Sequence, residues 1–185
     1  MKTQLASGRV RSRARTAIIS ILGASSLALV AAPASAQAGG GVSANDGGGS
    51  GGHTFPVRGR HTYGDGFGAG RGHKGQDLLA NCRKDVVAAR GGRVKVVDYE
   101  AGGAGNYVVI RGKRTGRDYV YMHMLDRIKV RRGERVQTGE TIGLVGSTGS
   151  STACHLHFEL WDGGWYSGGR PLDPTRRLRR WDRSN

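Results

Sequence analysis

His155-Leu156-His157-Phe158-Glu159-Leu160-Trp161, near the C-terminal end of the 185 residues, alternates in polarity from one position to the next. That period of two is a strand signal: His155, His157 and Glu159 project to one face, Leu156, Phe158 and Leu160 to the other. The apolar face can enter a core while the polar face lines a cleft. Two imidazoles at i and i+2 stand about 7 Å apart, at a rise of ~3.3 Å per residue. One metal site can therefore use one ring as a ligand and keep the other nearby.

Upstream, the same kind of segment recurs. Val94–Val97, Asn106–Arg111 and Tyr119–Met124 are rich in Val, Ile and Tyr, and Lys113-Arg114-Thr115-Gly116 reads as the turn between the last two. In Tyr119–Met124 the alternation places Val120, Met122 and Met124 on one face and Tyr119, Tyr121 and His123 on the other. Gly133, Gly139, Gly143, Gly146 and Gly149 then punctuate short strands around Val136, Ile142 and Val145. The expected fold is all-β, a mainly antiparallel sheet arranged as an open barrel or sandwich. No amphipathic helix stands out, and the Arg-rich end has little to bury.

Residues 1–36 carry a different signature. Lys2, Arg9, Arg11, Arg13 and Arg15 precede the apolar run Ala17–Ala32, and Pro33-Ala34-Ser35-Ala36 closes it with small residues. This is the pattern of a cleaved secretory signal rather than a membrane span. Residues 37–52, half of them Gly, read as a linker. A domain is expected over 53–175, with a basic tail over 176–185. An exported, monomeric product with no remaining membrane span follows.

Charge and cysteines limit the partners. The chain holds 29 Lys+Arg against 14 Asp+Glu, and removing the signal leaves 24 against 14, a net +10. Such a protein can bind polyanions, including acidic wall polymers. The charge is scattered, densest in the tail, and shows no nucleic-acid module. Cys82 and Cys154 form an even pair in an exported chain and read as one disulfide. Thiolate ligation is disfavoured, because neither cysteine has a C-x-x-C partner.

Gly72-His73-Lys74-Gly75-Gln76-Asp77 supplies the remaining chemistry. His73 and Asp77, with Gly75 allowing a bend between them, can take adjacent corners of a tetrahedral zinc site. One imidazole from the late strand makes a third ligand, leaving a fourth position open for water. His53 and His61 are expected at the surface.

From about Phe55 to Pro174 the chain resembles the lysostaphin-type (LytM-like) zinc metallopeptidases that trim bacterial peptidoglycan. The resemblance rests on His73-x-Gly75-x-Asp77 behind Gly66-Phe67-Gly68-Ala69-Gly70-Arg71, on Tyr121-x-His123-Met124, and on Ser147 to Glu159 with its His155-Leu156-His157 pair. It implies one Zn²⁺ per chain in a surface groove, held by His73, Asp77 and His157. His123 and His155 become the active-site histidines that orient water and steady an oxyanion.

Glu159 could orient a ligand imidazole or equally pair with a nearby Arg at the strand edge, and Tyr63 could reach substrate. Ala153-Cys154 departs from the family pattern; a bond from Cys154 to Cys82 would staple the catalytic strand. Peptidoglycan is the implied partner. A non-catalytic wall-binding protein or hydrolase activator on the same fold, or a basic structural or nucleic-acid-binding protein, is the alternative.

Overall fold

A computed structural model describes residues 52–70 and 72–184. The expected signal over 1–36 and all but the last residue of the expected linker lie outside the described residues.

Ten strands and one helix follow in order: β1 Thr62–Tyr63, β2 Gln76–Leu79, β3 Asp85–Val87, β4 Gly92–Glu100, β5 Gly105–Gly112, β6 Arg117–Met124, β7 Arg135–Val136, β8 Thr141–Leu144, β9 His155–Asp162, β10 Arg170–Leu172 and α1 Thr175–Asp182. The main sheet runs β1-β2-β9-β6-β5-β4-β7, with β10 also paired to β9, and a second sheet joins β3 to β8. Every pairing is antiparallel. The all-β, open-sheet expectation holds.

β9 is the organising strand. β2 and β10 share one of its edges end to end, and β6 lies along the other. Leu156, Phe158 and Leu160 enter the main core together with Tyr119, Tyr121, Ile110, Val86, Ile142 and Leu178. This face of the sheet therefore packs against the β3–β8 pair and α1. The opposite face carries a smaller cluster of Val109, Val120, Met122 and Trp161. The polar side of β9 shares that opposite face.

Alternation along β6 departs from expectation. Tyr119 and Tyr121 lie in the core at 1% and 0% exposure, not beside an open imidazole. The cause is an irregular register at the end of β6, where Val108 pairs with Tyr121 but Asn106 pairs with Met124, around His123, whose φ of +60° lies in the left-handed region that L side chains rarely occupy. That irregularity inverts the side-chain phase: His123 leaves the core face, and Met124 enters the core in its place. The Lys113–Gly116 turn forms as expected, with Arg114 at φ +59° and Gly116 at φ +66°.

The Arg-rich end differs as well. Its sequence offers little to bury, yet α1 inserts Leu178 and Trp181 into the main core at 0% and 5% exposure. Spacing of three puts these two residues on one helix face, with the arginines on the other. Trp181 stacks on His53 at 4.8 Å and meets Phe158 edge-on. Asp182 accepts from His61 Nε2 at 3.2 Å and from the Tyr63 hydroxyl at 3.4 Å. His53 and His61 are thus half-buried, holding the helix rather than facing solvent. Tyr63 packs against the core, away from the cleft; burial and then the Asp182 charge push its hydroxyl up to about 12.

Candidate metal centre

Pairing of β2 with β9 sets Asp77 directly opposite His157. Asp77 thus belongs to a strand, not to one turn with His73. His73 arrives from the preceding loop, where its backbone N–H donates to Ala69 O at 3.1 Å. Gly75 serves proximity rather than a bend: a Cβ there would lie 2.5 Å from the Phe158 carbonyl oxygen and 2.8 Å from His157 Nε2. Any side chain at that position would displace the ring.

Three ligand-type atoms converge. His73 Nε2 lies 3.1 Å from Asp77 Oδ1 and 3.0 Å from His157 Nδ1, and His157 Nδ1 lies 2.8 Å from Asp77 Oδ1. Among the described residues this is the one group of His, Cys, Asp and Glu side chains placed to hold a metal ion. Outside the cluster, His73 Nδ1 donates to Gly66 O at 2.9 Å and His157 Nε2 donates to Glu159 Oε1 at 3.2 Å. These bonds assign the tautomers, leaving the lone pairs of His73 Nε2 and His157 Nδ1 turned toward a carboxylate. Three acceptors facing one another repel unless a cation or a proton joins them, and the donor set of two imidazoles and a carboxylate suits zinc.

The electrostatics agree. Burial opposes a charged His157, but hydrogen bonds to Asp77 and Glu159 outweigh it and raise the ring to about 9. Burial likewise works against the Asp77 carboxylate, which the His157 bond and the neighbouring imidazoles nevertheless hold below its ordinary value. A site that draws in a proton this strongly also attracts a cation.

His155 and His123 stand beside the cluster and outside it. His155 Nδ1 donates to Ala153 O at 2.9 Å, and its Nε2 lies 3.8 Å from Asp77 Oδ1. His123 Nδ1 donates to Thr148 O at 2.9 Å, and its ring centre lies 4.7 Å from that of His155. Burial pushes His123 down to about 4, so the ring is neutral, with Nε2 as its lone-pair nitrogen. The structure thus brings together all five residues singled out from sequence.

Glu159 takes the orienting position expected of it. Its Oε2 accepts the indole N–H groups of Trp161 at 2.7 Å and Trp165 at 3.0 Å. Sequence reasoning missed both indoles, as well as the Thr148 and Gly66 carbonyls. Trp161 was readable, because it continues the i, i+2 series of His157 and Glu159. Trp165 sits in Gly163-Gly164-Trp165-Tyr166-Ser167-Gly168-Gly169, where an aromatic pair between glycine pairs was the available signal. Tyr166, 64% exposed at φ +44°, accepts from Lys74 Nζ at 2.8 Å and forms a wall of the cleft with Trp165. The cleft encloses about 610 Å³, and among the described residues none before His73 lines it.

Cys82 and Cys154 form the expected disulfide, with Cα atoms 5.2 Å apart. It ties the entry of β9 to the segment leaving β2, and neither sulfur belongs to the metal-type cluster.

Known proteins match this arrangement. The signature of Peptidase family M23 covers residues 71–174. The peptidoglycan DD-endopeptidase ShyC of Vibrio cholerae is 37% identical over 105 residues, 56% of this chain and 23% of the relative. The glycyl-glycine endopeptidase ALE-1 of Staphylococcus capitis is 37% identical over 91 residues, 49% of this chain and 25% of the relative. The chain thus spans about a quarter of either curated relative. The catalytic domain of the antimicrobial peptidase lysostaphin from Staphylococcus simulans superposes with a TM-score of 0.58 at 31% identity, covering 64% of this chain and 92% of that one.

Proposed function

Given that the chain belongs to peptidase family M23, we propose that it is an exported zinc metalloendopeptidase hydrolysing peptide bonds of bacterial peptidoglycan. The observation that carries this reading is the convergence of His73 Nε2, Asp77 Oδ1 and His157 Nδ1, each imidazole already committed on its outer nitrogen. These three residues would hold the metal. A zinc ion there supplies Lewis acidity, acidifying water and polarising a carbonyl.

The chain's own groups do the rest. His155 and His123 are fixed through Nδ1 by the Ala153 and Thr148 carbonyls, so each presents Nε2 as a proton acceptor. Once protonated, the same Nε2–H can donate to the oxyanion or return a proton to the leaving amine. Trp165 and Tyr166 flank the cleft and position the peptide, with Lys74 holding the Tyr166 hydroxyl. Export rests on the pattern of residues 1–36. The bond cleaved is of the class named by the relatives, a D,D stem-peptide bond or a glycyl–glycine bridge.

The test is zinc content of the purified mature chain together with release of soluble fragments from purified peptidoglycan. One zinc per chain and new amino termini in the released muropeptides are expected, with both lost in Asp77→Ala. Binding to the wall without hydrolysis would overturn the reading in favour of a non-catalytic wall-binding protein or activator.

A further inference from the structure

A second cleft, of about 620 Å³, opens at the far end of the main sheet and shares no lining residue with the metal centre. Arg90, Arg93, Arg111, Lys113, Arg114 and Arg135 line it, and among the described residues no carboxylate does. The charge read as scattered along the sequence is gathered here by strand register. Arg93 on β4 lies directly opposite Arg111 on β5 and directly opposite Arg135 on β7. Directly opposed residues share a face, so the three arginines form a row about 10 Å long at the ~4.8 Å spacing of strands.

Like charges placed directly opposite one another destabilise a sheet. Only one end of the row is compensated: Arg111 donates through Nε to Asp118 Oδ1 and through a terminal nitrogen to Gly163 O at 3.0 Å. Arg93, Lys113, Arg114 and Arg135 are exposed and form no salt bridge among the described residues. Gly91, Gly92 and Gly112 contribute backbone to the lining.

We propose that this cleft binds a linear phosphodiester-linked polyol, an anionic polymer of the cell wall. Three of the cations, Arg135, Arg93 and Arg111, lie in a row rather than converging on one point, which suits successive charges of a chain. Guanidinium forks match phosphate oxygens in pairs, and five of the six cations are arginine. Gln137 and Thr138 at the rim offer hydrogen bonds to hydroxyl groups. Nucleic acid shares the phosphodiester chemistry, but among the described residues no aromatic side chain lines the cleft to stack a base. The wall as the polymer's source rests on the proposed function; the anion site itself does not. Bound there, the polymer would hold the enzyme on its substrate while leaving the hydrolytic cleft clear.

Fluorescence anisotropy with a labelled poly(glycerol phosphate) oligomer and the purified mature protein tests this. Binding should weaken as salt rises, through release of counterions. An Arg93→Gln, Arg135→Gln variant should bind at least ~10-fold more weakly with a flatter salt dependence, while hydrolysing a short soluble peptide substrate as before. Arg176→Gln, Arg180→Gln removes the same charge from α1 and should change affinity less than ~2-fold. Equal weakening in the two double variants would replace the site with diffuse attraction and overturn the proposal. So would absence of binding, or equal affinity of a single-stranded DNA oligomer of matched charge through the same two arginines. Loss of peptide hydrolysis with polymer binding intact would strike the proposed function and leave this site standing.

Discussion

Glu159 Oε1 accepts the Nε2 proton of His157 at 3.2 Å, two positions along the same strand. The glutamate is itself clamped on its other oxygen by Trp161 and Trp165. It sets which nitrogen of His157 faces Asp77 and makes that nitrogen more basic. Glu159→Gln keeps an acceptor for the ring but removes the charge. Its zinc affinity, measured by competition with a chelator, should fall about 10-fold or more with the β-fold retained. Unchanged affinity would reduce Glu159 to a packing partner of the two indoles.

The two imidazoles outside the cluster separate from the ligands by their effect on metal content. His123→Ala and His155→Ala should each keep zinc and lose roughly 10²-fold or more in rate. Metal analysis alongside a hydrolysis assay reads both. Zinc lost from His155→Ala but kept in His157→Ala would exchange the two assignments.

Asp118 makes stability depend on acid. Fully buried, it accepts from Arg111 and Lys95 and from the backbone N–H of Trp165. Burial works against the carboxylate, but the Arg111, Trp165 and Lys95 bonds prevail and hold its pKa below the ordinary value. A lowered folded pKa contributes stability that is full above the unfolded value of about 3.9 and is lost as pH falls through the folded one. Asp118→Asn should therefore destabilise by about 2 kcal/mol near neutrality, the partly exposed cations softening the loss. Thermal melts against pH should show the gap between the two proteins steady above about pH 5 and closing below about pH 4. A gap that is constant down to pH 2 would remove the ionised carboxylate as its cause.

The disulfide spans 72 positions of sequence. Chain entropy credits a loop of that length with roughly 4 kcal/mol as a ceiling. A Cys82→Ser, Cys154→Ser double variant should melt lower yet bind zinc, since no sulfur belongs to the cluster. Loss of zinc with the β-fold intact would bring thiolate ligation back.

Much of this architecture was legible because β9 is regular: its period of two separates Leu156, Phe158 and Leu160 from His155, His157 and Glu159 without ambiguity. β6 misled for a physical reason. Side-chain phase is inherited residue by residue, and nothing in Tyr119–Met124 announces the left-handed backbone at His123. The five residues that converge on the cleft were singled out through the family resemblance, but the carbonyls that fix the tautomers of His73, His123 and His155 belong to residues whose side chains say nothing about the role. α1 went unread because Leu178 and Trp181 are two apolar positions among five arginines in 175–183, too few to signal a face. The arginine row escaped for a different reason. Arg93, Arg111 and Arg135 are far apart in sequence, and only the pairing of three strands makes them neighbours.

The left-handed backbone at His123 has an evolutionary consequence. On a regular strand, exchanging a core residue and a cleft residue takes two compensating substitutions; here the irregular register of β6 against β5, with the left-handed backbone at His123, exchanges the places of His123 and Met124 without them. The position therefore behaves as a parity bit for the strand. Two distant carbonyls guard its setting, Ala104 O accepting the His123 backbone N–H at 2.8 Å and Thr148 O accepting its ring. Selection for hydrolysis should thus fall on the lengths of the loops that carry Ala104 and Thr148 as strictly as on the histidine itself. A relative with every histidine in place but one of these loops shortened would carry the motif and lack the chemistry.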